Sequence, residues 1–313
     1  MPKTVDFKIS SRWLWIIIGM LALQPVGCIE VSKESWVISK RGLLETRQRS
    51  GECTTTCLDQ NGDGRFNVFM AAPSGPTRKP ELNSAGFSLV SWNIFKGKKD
   101  GWAEDLQNFI QNSDILVLQE AYLSEGLKRM LNQGKYNWDM TAAFEYRDIN
   151  AGVLTASRTA PNFTCGLRQI EPITRIPKGV LVTRYPMSGT NQQLLVVNIH
   201  AINFTVGSTT FEQQSKRLEN ILTAHHGPLI VSGDFNTWNA DRMAHVNAMA
   251  ENLGLAAVKF DDNRRFEIFG QNVDHIYYRG LEAVASATPV VSTSDHNPLL
   301  VVFKLANDPA AGR

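Results

Sequence analysis

From Gly86 onward, hydrophobic positions fall into short apolar runs separated by stretches of helical period. Strands are predicted at Phe87–Trp92, Ile115–Gln119, Gly152–Ala156, Gly179–Thr183, Leu194–His200, Leu229–Ser232, Val273–Tyr278 and Leu299–Leu305. Helices are predicted at Trp102–Gln111, Glu125–Asn132, Thr209–Ala224 and Ala240–Asn252. In the third, Phe211, Leu218, Ile221 and Leu222 recur at helical spacing with charges between them. Strands this short, with mixed connections, predict an α/β domain over 86–305. Its expected form is a four-layer sandwich, two packed mixed β-sheets flanked by helices, rather than one doubly wound sheet.

The chain before Gly86 reads differently. Lys3, Lys8 and Arg12 precede eleven apolar residues, Trp13 to Leu23, and the chain turns charged at Glu30. That length suits a signal-peptide core better than a membrane span of about 20 residues. Residues 1–28 are therefore expected to be a signal peptide or an N-terminal membrane anchor. Val26-Gly27-Cys28 resembles the end of a bacterial lipoprotein signal, with Cys28 as the lipidated residue. Export or membrane attachment is favoured, with a cytoplasmic chain as the alternative. Residues 29–85, Gly-, Ser-, Thr- and Pro-rich after Ser50, read as an irregular extension and linker, and 306–313 as a tail. Asp59-Gln60-Asn61-Gly62-Asp63-Gly64 copies half a calcium loop, but Met70 stands where the closing Glu is needed, so it reads as a polar turn.

Composition narrows the class. Of 313 residues, 43% are hydrophobic and 20% charged, as in an ordinary folded protein; 32 Lys+Arg against 30 Asp+Glu leave +2. No general electrostatic grip on nucleic acid follows from that balance. Four cysteines are too few for a disulfide-held scaffold. One disulfide among Cys53, Cys57 and Cys165 suits an exported chain, its pairing unreadable from sequence.

The chemistry lies where strands end. Apolar runs finish in Asn93, in Gln119-Glu120, in Asn198-Ile199-His200 with Asn203 beyond, and in Gly233-Asp234-Phe235-Asn236. Ser294-Asp295-His296 precedes the last strand. Each fragment alone is as well explained by a turn former, a helix cap or a solvated loop. Five in one domain point instead to groups held on rigid supports along one rim.

These fragments, with Trp92-Asn93 and Asp274, resemble the endonuclease/exonuclease/phosphatase superfamily, which has the fold of pancreatic deoxyribonuclease. Trp-Asn-Ile-Phe-Lys, His-Ala-Ile-Asn-Phe, Tyr-Tyr-Arg-Gly and Ser-Asp-His-Asn-Pro-Leu-Leu look like its bacterial YafD-type branch. The resemblance implies metal-assisted hydrolysis of a phosphoester with Mg²⁺ or Mn²⁺. Glu120 is then the primary metal ligand, Asn93 orients it or a metal-bound water, and Asp295 contributes on the same side. Asp234 activates water, and Asn236 and Asn203 contact the substrate. His296, set by Asp274, and His200 stabilise the phosphoryl transition state.

Two departures bear on substrate. The abasic-site endonucleases carry Tyr where His200 stands. The deoxyribonuclease-like branch pairs the corresponding histidine with a Glu, and no Glu near Gly152–Arg158 serves; Glu145 lies too far upstream. His275 is expected to be structural because strand neighbours point to opposite faces. His225, His226 and His245 are expected on solvated helix faces. Arg264-Arg265, Lys98-Lys99 and Arg242 are read either as contacts to a phosphate backbone or as solvated surface. A nuclease or phosphodiesterase is the first expectation. A lipid or small-molecule phosphoesterase at the membrane and a non-catalytic binding protein are the alternatives; no protein partner is indicated.

Overall fold

The structure is a computed structural model and describes residues 29–31, 36–40, 42–45, 55–59, 80–205 and 207–306. The segment read as a signal or anchor, with Cys28, lies outside these residues, as do Cys53, most of the calcium-like loop and the tail from 307. No described helix is long and apolar enough to cross a membrane.

In chain order the first strands are β1 (Ile29–Glu30), β2 (Trp36–Ser39), β3 (Gly42–Glu45), β4 (Thr55–Asp59), β5 (Phe87–Asn93) and β6 (Ile115–Tyr122). Next come β7 (Asn137–Tyr146), β8 (Ile149–Ser157), β9 (Phe163–Ile170), β10 (Pro177–Pro186), β11 (Gln193–His200) and β12 (Leu229–Asp234). The last are β13 (Ala256–Ala257), β14 (Glu267–Ile268), β15 (Gln271–Asn272), β16 (Asp274–Arg279), β17 (Leu281–Ala287) and β18 (Leu299–Leu305). The helices are α1 (Trp102–Asn112), α2 (Glu125–Gln133), α3 (Thr209–Leu222) and α4 (Ala240–Asn252). One sheet runs β17-β18-β5-β6-β8-β7-β2-β3 with β1 added on β7; the other runs β13-β16-β12-β11-β10-β9-β4. Both are mixed. The parallel pairs are β5–β6 in one and β11–β12 in the other.

Alternation along the strands explains the layers. Leu89, Ile115 and Val117 from one sheet meet Leu194, Val196 and Ile230 from the other between the sheets. The opposite faces take the helices: Val90, Leu116 and Leu118 pack on Leu106 and Ile110 of α1 and on Leu127 and Leu131 of α2. Leu195, Val197 and Val231 pack on Phe211 and Leu218 of α3 and Val246 and Met249 of α4. This is the expected four-layer sandwich with helices on both outer faces. Burying each such side chain contributes about 1.5–3 kcal/mol.

The extension over 29–85 departs from the irregular linker expected. Its described parts pair β1 and β2 with β7, β3 with β2, and β4 with β9. These pairs occupy the edges of both sheets, where unpaired N–H and C=O groups await a partner. Opposite Cys57 in the ladder stands Cys165, which is disulfide-bonded. Helix α3 ends at Leu222, so His225 and His226 fall in the following turn rather than on the helix expected.

Candidate active site

Parallel pairing brings the ends of β5, β6, β11 and β12 to one rim. In the ladder His200 pairs with Asp234, and Asp234 with Asp274, so three predicted groups lie in a row across adjacent strands. Two backbone irregularities aim the others. The β6–β8 register shifts between Leu118 and Ala121, and Glu120 within that bulge has φ 48°. A left-handed glutamate costs about 1–3 kcal/mol and turns the carboxylate off the strand axis. Asn236, at φ 51°, turns the chain after Asp234 so that its N–H donates to Asp234 Oδ1 at 3.0 Å.

The constellation is tightly linked. Asn93 Nδ2 donates to Asp234 Oδ2 at 3.1 Å, and His200 Nε2 lies 3.5 Å from the same oxygen. His296 Nδ1 meets Asp274 Oδ2 at 2.7 Å. Phe266 packs on the His296 ring at 4.4 Å, and Trp92 Nε1 donates to the His296 carbonyl at 2.9 Å. Ser294 Oγ donates to the Asn93 carbonyl at 2.7 Å, fixing the loop before β18 to the end of β5. Beneath the rim, Gln119 Nε2 donates to Asn198 Oδ1 at 2.9 Å, and Asn198 Nδ2 to Leu118 and Leu154 carbonyls, joining the two sheets through buried amides.

Burial and charge set the protonation states. Burial, reinforced by the Asp274 charge, pushes the Asp234 carboxyl well above the carboxylate range. Burial works against charge on His296, yet the touching Asp274 carboxylate overrides it and holds the ring's pKa well above its usual value. Burial would raise Glu120 too, but the positive charges beside it, Lys96 foremost and Lys178 with it, outweigh burial and keep this carboxylate ionised. The Lys96 ammonium makes a short ion pair with Glu120. Burial lowers the Lys98 pKa, and the charges of Glu120 and Asp295 oppose that.

Two donor sets suit a cation. Glu120 and Asp295 offer the hard oxygens that Mg²⁺ and Mn²⁺ prefer, and Glu120 already draws a cation in Lys96. Asp234, Asp274 and His296 also bring ligand atoms within 4.8 Å of one another. There, however, His296 Nδ1 and Asp274 Oδ2 are engaged with each other, which suits proton handling better. A cavity of 260 Å³ lined by Glu30, Ala142, Phe144, Glu145, Asn150 and Arg168 touches none of these groups.

Asn203 sits beside the rim with its amide engaged: Oδ1 accepts from Trp238 Nε1 at 2.9 Å, and its N–H donates to buried Glu171. Arg242 is no phosphate contact. It is 1% exposed, stacks on Trp238 and Phe211, and donates to the carbonyls of Ile202, Asn203 and Asn236. It thereby clamps the loops after β11 and β12. Lys99 is tied to the Ser294 carbonyl, and Arg264 to Asp262. His275 packs behind the site on Phe235, with Thr237 Oγ1 2.7 Å from its Nε2. Lys178 and Glu171 were not anticipated, because no local pattern marks them; Lys96 closes the Trp-Asn-Ile-Phe-Lys motif but was given no role.

Carboxylates, histidines and amides thus converge at one rim of the sandwich. Residues 90–296 match the endonuclease/exonuclease/phosphatase family; the chain belongs to this family, whose members are phosphoesterases. A UPF0294 protein of Vibrio vulnificus strain YJ016 is 40% identical over 247 residues, 79% of this chain and 87% of the relative, in line with the YafD-type resemblance. ANGEL2, a 2′,3′-cyclic phosphatase solved in complex with adenosine-2′,3′-vanadate, superposes with TM-score 0.57 at 15% identity, over 74% of this chain and 99% of that one. The human Nocturnin catalytic domain with bound sulfate gives 0.55 at 16% identity, over 72% and 97%. At such identities the likeness establishes the shared fold.

Proposed function

We propose that this chain is a divalent-metal-dependent nuclease or phosphodiesterase. The observation that carries the reading is the row His200–Asp234–Asp274 with His296 locked on Asp274 at 2.7 Å, facing ionised Glu120 across the rim. Glu120 and Asp295, with Asn93, would hold Mg²⁺ or Mn²⁺, which when bound draws charge from the phosphoryl oxygens. Asp234, oriented by Asn93 and by the Asn236 N–H, accepts the proton of the attacking water. Its raised pKa suits a base working near neutral pH. His296 keeps Nδ1–H on Asp274 and turns Nε2–H to the phosphoryl group. Asn236, whose Nδ2 also donates to the Ala201 carbonyl at 2.9 Å, is held to contribute its second N–H. Trp238 and Phe269, ring centroids 6.3 Å apart and Phe269 72% exposed, supply aromatic surface beside Asn203 on which a base can stack.

A second reading keeps this chemistry and moves it to a lipid phosphoester; the apolar run Trp13 to Leu23 favours it. That run and the Cys165 disulfide also support an exported or membrane-attached location, since disulfides persist in oxidising compartments. The test is a panel on the full-length chain with Mg²⁺ or Mn²⁺: plasmid DNA, RNA, bis-(p-nitrophenyl) phosphate and phospholipid vesicles. Turnover of a nucleic acid or the model diester that stops on chelation and returns with metal is expected. Turnover of vesicles alone selects the lipid reading. A folded sample that turns over none of them, with either metal, ends both.

A further inference from the structure

Two groups face His200 Nε2, the Asp234 carboxylate at 3.5 Å and, closer, a cation. Lys178, at the head of β10, places Nζ 2.8 Å from His200 Nε2. An ammonium carries only donors, so the ring nitrogen facing it accepts, and the proton of the neutral ring belongs on Nδ1. Burial, then the Lys178 charge, press the His200 pKa well down, which keeps the ring neutral. Lys178 also acts on both working carboxylates: its charge reaches Glu120 and Asp234, and Asp234 Oδ2 stands 3.5 Å from the same Nε2. With the ring neutral, the cation touching it is Lys178, while Lys96 is paired with Glu120.

We infer that Lys178 fixes His200 with Nε2 as an acceptor and supplies the cationic donor for a phosphoryl oxygen at this corner. The first half is a statement about the folded chain alone; the second rests on the phosphoester reading above. A phosphoryl group gathers negative charge as the nucleophile adds, so a preorganised ammonium serves the transition state more than the ground state. An ammonium on a flexible stem can hold the ring with one N–H and offer another to the substrate. A purely structural lysine would hold the ring and leave the rate untouched.

The experiment uses the full-length chain, wild type, Lys178→Met and Lys178→Arg. Imidazole ¹⁵N spectra, assigned with His200→Gln, are expected to show His200 unprotonated at Nε2 in wild type and redistributed between the nitrogens in Lys178→Met. Inorganic phosphate should bind Lys178→Met at least about tenfold more weakly. With bis-(p-nitrophenyl) phosphate and Mg²⁺, Lys178→Met should lower kcat about 10²–10³-fold with KM within a few-fold, and Lys178→Arg should recover part of it. A wild-type spectrum with the proton on Nε2 overturns the pairing. An active wild type matched in kcat and phosphate affinity by Lys178→Met overturns the charge role. A wild type with no turnover refutes the phosphoester reading instead, while the spectrum still decides the pairing.

Discussion

Asp234 is held under tension, buried beside a second carboxylate, Asp274, with one amide and one backbone N–H to steady it. Such a group contributes to chemistry at the expense of stability. Asp234→Asn keeps the shape and removes the buried charge, so turnover should fall about 10²–10⁴-fold. The thermal midpoint at mildly alkaline pH should be no lower than in wild type. A variant that is active, or one that unfolds early, would remove Asp234 from its role. His225 offers a separate titration. Burial holds its folded pKa below 6.5 despite its contact with the Pro228 carbonyl at 2.9 Å. The unfolded chain takes up the proton first, so this stability is complete above the unfolded value and declines as pH falls toward the folded one. His225→Gln should therefore lose less of its urea midpoint than wild type between about pH 7.5 and pH 5.5. Equal losses would assign the acid sensitivity to other groups.

At the scale of elements, the site is built by strand ends whose backbones tolerate little change. Gly233, at φ 143°, would place an added Cβ 2.0 Å from the Ile199 carbonyl on the neighbouring strand. Gly233→Ala must strain that residue or part β11 from β12, the pair that aligns His200 with Asp234. A loss of more than about 3 kcal/mol in urea unfolding is expected, with activity falling even in whatever folds. A neutral substitution would show that the rung is not held as described. Strands ending in polar groups were legible because their apolar runs are unbroken, as in β6, β11 and β12, and those runs carried Glu120, His200 and Asp234 to view. By contrast, β7 was hidden, since its buried stretch contains Asp139 and Thr141, satisfied by Thr164 Oγ1 at 3.0 Å and by the Val180 carbonyl at 3.1 Å. Polar residues paired across the sheets erase the alternation that a sequence shows. Lys178 was illegible for a related reason: its meaning comes from His200, 22 residues away, and from nothing beside it.

For the whole molecule, the two sheets act as jaws whose common rim is the site, and their far edges depend on chain that the sequence reading assigned to a linker. β2 covers β7 in one sheet, and β4 covers β9 in the other. Val37 is buried with Val153 and Leu181, a small cluster that spans both sheets. A fragment beginning at Gly86 would keep every predicted site residue yet leave two long edge strands bare and Val153 and Leu181 uncovered. Bare edges invite pairing with other chains, and lost apolar cover lowers stability. The fragment is thus expected to unfold at lower urea concentration than the chain retaining residues 29–85, and to associate as its concentration rises in light scattering. A fragment as stable and as monodisperse as the longer chain would show that these strands decorate the domain without completing it.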